Sequence, residues 1–400
     1  MKRIFDGIRV LEFTTAIAGP AAAMLLADQG AEVIKIEKRG AGDEMRLSDP
    51  FIDGESLAFM RTNRGKKSVV LPLDTPEGLA MAKQLVGTAD VILENFRPGV
   101  MKKYGLDYDS ARQIKPDIVY CSVSAFGQTG PYRTEAGYDF IAQAMSGIMD
   151  KTGEPDRPPV AVGTILGDYN AASNAFGAIA AALFHRERTG EGNYIDLSLV
   201  EALVCINHSV ESCGVGVIRK RAGRHAGGAA PFGLFNGNNG EGLIICAHTP
   251  KHFKLLCQTI GRPDLLDDPR MATRKSRFEN LPILVEIIEG YLKDFETIEE
   301  PMHILKEAGL PVTRVIGTEQ VLTDPHFLER GIVADIPTTR KVKSQPSFKG
   351  RGIYMKFSNT PGQIGVPPYL GEHNAEIFKE LGKSDEEIAA LNDAWLGKGE

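Results

Sequence analysis

The sequence has few cysteines, no long apolar segment and little excess of charge of either sign. Its five cysteines form no CxxC pair and no zinc-ligand spacing, which argues against a disulfide framework and a structural zinc site. No apolar run approaches the roughly 18 residues of a membrane span. The N-terminus also lacks the apolar stretch of about 7–15 residues that marks a signal peptide. We therefore expect a cytoplasmic protein with reduced thiols.

The charge balance argues against a nucleic-acid partner. Lys and Arg total 46 and Asp and Glu total 52, for a formal net charge of −6. With 42% hydrophobic and 24% charged residues, the composition is typical of a folded globular protein. None of the eight histidines stands in an HExxH or comparable ligand spacing, so we expect no metal. A length of 400 residues predicts two or three domains.

Strands and helices alternate over the first 200 residues. Continuous apolar strands separated by helices indicate a parallel sheet with both faces covered. A helix of mainly small residues is predicted from Leu166 to His185 and is expected deep in the core. The predicted strands are Ile8–Thr14, Ala31–Glu37, Ser68–Leu73, Val91–Glu94, Asp117–Ser122 and Asn193–Leu199.

The character of the chain changes near Arg219. Residues 219–242 are rich in glycine and are predicted to form a mobile loop at a domain boundary. A strand and several helices follow, and the chain closes with a helix at Asp385–Leu396. The predicted fold is α/β, with a large first domain over residues 1–220 and a smaller, helix-rich α+β domain over residues 221–325 that includes the glycine-rich loop. Residues 326–400 are predicted to form sheet and loop before the closing helix.

Open α/β sheets bind ligands at the carboxyl ends of their strands, and this rule points to four strand ends: Thr14–Ile17, Glu37–Arg39, Asn95–Arg97 and Ser124–Gly127. The GxGxxG motif of a dinucleotide-binding dehydrogenase is absent after the first strand, which makes a dehydrogenase an unfavourable interpretation. Basic residues cluster nearby at Lys38–Arg39, Asn63–Lys67 and Lys102–Lys103. Each cluster alone is compatible with a solvated surface. Three clusters beside strand ends favour an anionic, phosphate-bearing ligand.

Asp168 precedes the small-residue helix in the sequence Gly167-Asp168-Tyr169-Asn170. Its spacing predicts an N-cap, and the alternative is a carboxylate nucleophile. The residue types leave both interpretations open. The sequence has no GxSxG motif, so the nucleophile elbow of an α/β-hydrolase is not indicated.

Taken together, these residues resemble those of family III CoA-transferases, the CaiB/BaiF family. That family includes formyl-CoA:oxalate CoA-transferase, carnitine CoA-transferases and α-methylacyl-CoA racemase. The matching stretches cover nearly the whole chain in order: Leu11–Pro20, Gly30–Asp43, Asn63–Ser68, Glu94–Gly99, Ser124–Pro131, Tyr138–Gly147, Gly163–Asp168, Gly190–Glu201, Asp267–Asn280 and Leu370–His373.

The resemblance implies a CoA-transferase that moves CoA from an acyl-CoA donor to a carboxylic acid. Asp168 falls on the family's catalytic aspartate, which forms an acyl-aspartyl anhydride and then an aspartyl-CoA thioester. Helix N-terminal amides near Asp168 are candidates for steadying the oxyanions. Gly227 and Gly228 match a glycine loop that closes over the intermediate. The resemblance implies no cofactor, because the CoA thioester is itself a substrate.

The resemblance also implies a CoA groove and an oligomer. Each chain of the family is a ring made of a Rossmann-like large domain and a small domain joined by two linkers, which implies that residues 326–400 are a return linker and the rest of the large domain. Family members form dimers of two interlocked rings, so a homodimer is expected. The expected partners are therefore an acyl-CoA, a small carboxylic acid and a second copy of the chain, without membrane or nucleic acid. The CoA-binding residues implied by position are Thr15, Ile17, Lys38, Arg39, Arg64, Leu73, Asn95, Phe96, Arg97, Lys103 and Tyr138.

Two departures and two alternatives accompany this interpretation. Ile17 stands where formyl-CoA:oxalate enzymes have a glutamine, and Ala136 or Gly137 replaces a lysine, so a more apolar acyl pocket is expected.

A racemase on the same fold would have a histidine at Tyr138, and a phenol with an ordinary pKa of about 10 is a poor substitute for that base. The other alternative is a catalytically silent CoA-binding protein.

Overall fold

The structure is a computed structural model, and it describes residues 3–396. This part of the chain folds into two compact units. The first unit contains residues 3–146, 163–207 and 322–396, and the second contains 147–162 and 208–321. The boundaries predicted at 220 and 325, and the functions predicted for the domains, stay predictions.

The strands alternate with helices through the first part of the chain. In chain order they are β1 Arg9–Phe13, β2 Glu32–Glu37, β3 Phe51–Ile52, β4 Glu55–Ser56, β5 Lys67–Val70, β6 Val91–Glu94, β7 Val119–Ser124, β8 Asn193–Ser198, β9 Phe232–Asn236, β10 Gly242–Cys246, β11 Val312–Arg314, β12 Val333–Pro337 and β13 Ser347–Arg351.

Short 3₁₀ turns at 44–47, 238–240, 263–266 and 269–271 interrupt the α-helical sequence. The α-helices are α1 Ala18–Asp28, α2 Leu57–Asn63, α3 Pro76–Val86, α4 Val100–Tyr104, α5 Tyr108–Ile114, α6 Asp139–Met145, α7 Ile148–Lys151, α8 Leu166–Thr189, α9 Leu199–Val204, α10 Ser209–Gly214, α11 Pro250–Thr259, α12 Arg274–Glu279, α13 Leu281–Lys293, α14 Glu299–Glu307, α15 Thr318–Val321, α16 Pro325–Glu329, α17 Asn374–Glu380 and α18 Asp385–Leu396.

The first unit is built on a six-stranded sheet with the order β5-β2-β1-β6-β7-β8. All of its pairings are parallel, as the sequence predicts, and Leu11 of β1 lies in register with Ile34 on one side and Ile92 on the other. The chain winds outward from β1 through β2 and β5, and then in the opposite direction through β6, β7 and β8. The reversal beside β1 creates the kind of crevice in which α/β sheets bind ligands.

Two helices rich in small residues pack on this sheet. All eleven residues of α1 are buried, and α8 lies against α1. The expectation that α8 lies deep in the core is wrong for one of its faces. Ala172 and Ala175 are buried, but Phe184 is 63% exposed. The reason is that α8 carries small residues around its whole circumference, so its composition does not show that only one face is covered.

The second unit has its own core around an antiparallel sheet with the order β11-β10-β9. Helices α11, α13 and α14 supply apolar side chains to this core. The predicted glycine-rich loop contains strand β9, because its apolar residues Phe232, Leu234 and Phe235 pair with β10. Within the described ranges, no helix is both long and apolar enough to cross a bilayer.

A buried cluster of four charges lies beneath the carboxyl end of β1. This buried charge cluster consists of Glu12, Lys35, Asp43 and Lys66. The Lys35 ammonium lies 3.0 Å from Glu12 and 2.8 Å from Asp43, and Lys66 lies 2.8 Å from the other oxygen of Glu12. Burial opposes the charge on Lys35, but the carboxylates of Glu12 and Asp43 outweigh it and raise its pKa. For Lys66 burial dominates and, with Lys35 nearby, lowers the pKa to about 8.

Removing one member of this cluster should destabilise the protein strongly. Lys35→Met leaves Glu12 and Asp43 buried with an uncompensated charge, and we expect the free energy of unfolding to fall by about 3–5 kcal/mol. Urea denaturation followed by circular dichroism measures the loss.

The matched control is Lys67→Met, on strand β5, which pairs with the strand of Lys35. Lys67 also contacts two carboxylates, those of Glu32 and Glu376, but its side chain is 27% exposed. The expected loss is below about 1 kcal/mol. Equal losses in the two variants would show that burial of the cluster carries no special weight.

Candidate active site

A cavity of about 250 Å³ lies in the first unit at the carboxyl edge of the sheet. We call it the nucleophile cavity. Three of the four strand ends predicted from the sequence line it: those after β1, β6 and β7. Of the predicted site residues, the cavity brings together Thr15, Ile17, Asn95, Phe96, Arg97, Tyr138 and Asp168.

The loop after β1 is held in a defined shape on one side of this cavity. Ala16 has a left-handed φ of +64°, which is costly for a residue with a Cβ. Its amide donates to Asp43 Oδ1 at 3.2 Å, and that same carboxylate pairs with Lys35 in the buried charge cluster. Asn95 accepts from the Thr15 amide at 2.9 Å and donates to the Thr15 carbonyl at 2.8 Å. Asn95 therefore fixes the backbone of Thr15, one of the residues that were predicted to contact CoA.

Asp168 lies in the first turn of α8, but it is not the N-cap. The helix begins at Leu166, so the residue before it is Ile165, whose side chain makes no capping hydrogen bond. Capping comes from Asp139, whose Oδ1 accepts the amide of Gly167 at 2.5 Å and lies 3.4 Å from the amide of Asp168. The N-cap prediction is therefore wrong, because a distant acid performs that task.

The same contacts correct the expectation about oxyanion stabilisation. The amides of Gly167 and Asp168 already point at Asp139, so they are not available to a developing oxyanion. The carboxyl group of Asp168, in contrast, has no capping role and opens into the nucleophile cavity.

Burial and a neighbouring charge both make the Asp168 carboxyl group more basic. Burial is the larger cause, the Asp139 carboxylate is the second, and together they raise the pKa of Asp168 to about 7. Near neutral pH both protonation states are therefore populated. The ionised form is a better nucleophile than an ordinary aspartate, because nucleophilicity of a carboxylate rises with its basicity.

A second cavity of about 440 Å³ adjoins the first, and we call it the basic cavity. Thr15 and Phe96 line both cavities, so they form the passage between them. Lys38 and Arg39 are exposed on its rim, with Leu73 among its apolar residues. The Arg39 guanidinium forms a 2.7 Å ion pair with Asp74, and both side chains are more than half exposed.

Four predicted site residues lie outside these two cavities. Arg64 is buried and forms hydrogen bonds of 2.9 and 2.7 Å with Asp28, which gives it a structural role. Lys103 is exposed on α4 and lines neither cavity. Gly227 and Gly228 belong to the second unit. There Gly228 has a φ of +84°, a conformation that favours glycine.

Two residues of the nucleophile cavity and its surroundings were not predicted. Arg133 is exposed on the cavity wall, and its guanidinium has a long 3.5 Å contact with the Gly130 carbonyl. Asp139 follows Tyr138 directly and is 5% exposed. A signal for Asp139 exists in the sequence: an acid at the start of a helix followed four residues later by Gln143, whose amide donates to it at 2.6 Å.

An α/β fold with a basic cleft leading to an aspartate without a capping role is consistent with the resemblance, and comparison with known proteins extends it. The model of CoA-transferase family III matches residues 5–374. The chain is 37% identical over 396 residues to succinyl-CoA–D-citramalate CoA-transferase of Chloroflexus aurantiacus, covering 97% of each chain. It is 38% identical to succinate–glutarate CoA-transferase of Agrobacterium fabrum, covering 94% of this chain and 95% of the relative.

A solved structure is similar over nearly the same length. The crystal structure of a CaiB/BaiF family protein from Brucella suis superposes with a TM-score of 0.84 at 34% identity, covering 95% of this chain and 100% of that one. The chain therefore belongs to CoA-transferase family III. The predicted family and the predicted reaction class, CoA transfer from an acyl-CoA to a carboxylic acid, are both confirmed.

The raised pKa of Asp168 leads to a prediction about stability. The folded state disfavours the ionised carboxyl group, so the contribution of this group to stability is lost as the pH rises from about 4 to about 7. Asp168→Asn cannot ionise and should raise the Tm by about 2–4 °C above pH 7. The gain should shrink as the pH is lowered towards 4. Calorimetry at several pH values measures it.

Glu135→Gln provides the control, because Glu135 lines the same cavity but is exposed. Its effect should stay within about 0.5 kcal/mol at every pH. A Tm difference for Asp168→Asn that does not depend on pH would contradict the raised pKa.

Proposed function

We propose that Asp168 carries the CoA between the two acids as a covalent aspartyl-CoA thioester. The observation that supports this most directly is the basic carboxyl group of Asp168, which has no capping role and opens into the nucleophile cavity. Free carboxylates are poor nucleophiles at their ordinary pKa, and burial beside a like charge is a known way to activate such a group.

The reaction proceeds through balanced exchanges at one carboxyl group. A carboxylate oxygen of Asp168 attacks the thioester carbonyl, the C–S bond breaks, and an anhydride and CoA thiolate form. The thiolate sulfur then attacks the Asp168 carbonyl carbon, the C–O bond breaks, and the donor acid leaves. The acceptor carboxylate reverses these two steps. No other co-reactant is needed, because the free energy of the donor thioester is retained first in the anhydride and then in the aspartyl-CoA thioester.

The basic cavity is suited to the nucleotide end of CoA. Lys38 and Arg39 supply charge for its phosphates, and Leu73 and Phe96 supply apolar contact. The passage at Thr15 and Phe96 then carries the pantetheine arm towards Asp168. In this arrangement Arg64 and Lys103 do not bind CoA.

The acyl group is proposed to be that of a dicarboxylic acid. Two relatives are named for succinate, glutarate or D-citramalate, acids with a second carboxylate. Arg133 lines the nucleophile cavity and offers a guanidinium for that second carboxylate. Ile17 adds apolar surface beside the carbon chain.

The oligomer and the glycine loop complete the proposal. Family membership supports an interlocked homodimer of ring-shaped chains in the cytoplasm, and the exposed Phe184 on α8 supplies apolar surface for a second copy. The role implied for Gly227 and Gly228, a glycine loop that excludes water from the intermediate, stays a prediction, and Gly228 has a left-handed φ that favours glycine.

Incubation with succinyl-CoA in the absence of an acceptor should leave a covalent CoA adduct on the peptide that contains Asp168. Mass spectrometry detects the adduct, and hydroxylamine should convert it to a hydroxamate. Asp168→Asn should form none while keeping its circular dichroism spectrum. A racemase would instead exchange the substrate α-proton with deuterated solvent and form no adduct, and that pair of results would refute the proposal.

Arg133→Ala should distinguish dicarboxylic from monocarboxylic donors. Loss of a charge-assisted contact is expected to raise the KM for succinyl-CoA about tenfold or more, and to leave the KM for butyryl-CoA within about twofold. Lys38→Ala is the matched control, because it should raise both values by a similar factor at low salt. Equal effects of Arg133→Ala on both donors would place Arg133 outside the acyl pocket.

A further inference from the structure

Asp139 makes a set of contacts that binds it closely to the start of α8. Its Oδ1 accepts the Gly167 amide at 2.5 Å and lies 3.4 Å from the Asp168 amide. Its Oδ2 accepts the side-chain amide of Gln143 at 2.6 Å, and Gln143 also donates to the Thr164 carbonyl at 3.3 Å. Asp139 and Gln143 thus hold the chain on both sides of the turn that presents the nucleophile.

These contacts also hold the Asp139 carboxyl group in place. All three partners are N–H donors, which match the acceptor oxygens of a carboxylate. The group is 5% exposed, so water screens its charge weakly. The Asp139 carboxylate lies beside Asp168 and is the second cause, after burial, of the raised pKa of Asp168.

The sequence at Gly167 allows this close approach. A Cβ at residue 167 would lie 3.0 Å from Asp139 Oδ1 and 3.2 Å from Leu203 Cδ1. Glycine therefore leaves room for the Asp139 carboxyl group at the helix terminus, and a Cβ there would force its neighbours to shift by a few tenths of an ångström. The contact joins the Asp139 side chain to a backbone amide of α8.

The other charged and titratable groups around Asp168 are exposed to solvent or paired with an opposite charge. Those lining the same cavity are all exposed: Glu44, Arg97, Arg133, Glu135 and Tyr138. On the elements packed against α8, Glu201 of α9 and Asp196 of β8 are exposed, and Asp28 of α1 is neutralised by Arg64. Asp139 is thus the buried, uncompensated charge among these groups.

We propose that Asp139 is a positioning residue whose charge drives Asp168 towards its covalent state. This inference rests on the proposed aspartyl-CoA thioester. The free Asp168 carboxylate is repelled by Asp139, whereas the Asp168 thioester is neutral and is not. In the net step, the Asp168 carboxylate and the acyl-CoA give the aspartyl-CoA thioester and a free donor carboxylate. One negative charge leaves the neighbourhood of Asp139, and the repulsion is relieved.

The size of the effect of Asp139 on adduct formation follows from a comparison of two neutral forms of Asp168. A protonated Asp168 and an Asp168 thioester both lack the charge that Asp139 repels. The factor by which Asp139 favours protonation therefore also favours adduct formation at equilibrium. If the Asp139 charge accounts for one pH unit of the basicity of Asp168, it changes both equilibria about tenfold.

Asp139→Asn tests this, because it keeps an oxygen acceptor for the Gly167 amide and removes the charge. We expect the acid limb of kcat/KM to move down by about one pH unit, so that activity at pH 5, relative to its own plateau, rises about tenfold. With fixed succinyl-CoA and succinate, the equilibrium ratio of adduct to free enzyme above pH 7 should fall about tenfold. Intact-protein mass spectrometry measures that ratio.

Two further variants separate charge from structure. Asp139→Glu retains the charge and should keep the acid limb and the adduct ratio close to those of the wild type, even where its rate falls. Glu135→Gln removes an exposed acid from the same cavity and should move the acid limb by less than about 0.3 units. A lower rate for Asp139→Asn with an unchanged acid limb and adduct ratio would show a purely structural role and overturn the proposal. A wild-type enzyme without any adduct would instead refute the aspartyl-CoA thioester itself.

Discussion

The ion pair between Lys35 and Asp43 connects the interior of the sheet to its ligand-binding edge. Lys35 belongs to a central strand, and Asp43 fixes the strained Ala16 in the loop after β1. A left-handed alanine persists only when its surroundings determine it, and here they do so through a chain of buried charges. Glu12 and Lys66 extend that chain to the strand beneath the loop and to the segment before β5. The position of Thr15 in the cleft thus depends on buried charges beneath the loop.

Two acids, Asp139 and Asp168, lie at the start of α8 and make different contacts. A single aspartate at a helix terminus can cap the helix or act on a ligand, but each hydrogen bond that it accepts lowers its basicity. In this protein Asp139 accepts the amides, and Asp168 remains without a capping bond and becomes more basic. The capping carboxylate and the more basic carboxyl group at this helix N-terminus therefore come from separate segments of the chain.

Sequence reasoning predicted the parallel sheet because its strands are continuous apolar runs, a pattern that burial on both faces requires. It also placed the strand ends correctly at the cleft, since the carboxyl ends of parallel strands share one edge. It failed for Arg64 and Lys66, which look like surface charges in the sequence. Both are buried because acids far away in the chain, Asp28 and Glu12, meet them in the fold. Asp139 was missed for the same reason: its partners lie 28 and 29 residues further along the chain.

Helix α1 packs on the sheet beside α8, and every one of its residues is buried. Its alanines, among them Ala21, Ala22 and Ala23, allow α1 to pack closely against its neighbours. The loop that contains Thr15 leads into α1 on one side of the cleft. Asp168 lies in the first turn of α8 on the other side. The distance between Thr15 and Asp168 across the cleft therefore depends on the small size of the α1 side chains. A single added methylene within α1 would change that distance, although α1 itself contributes no reactive side chain.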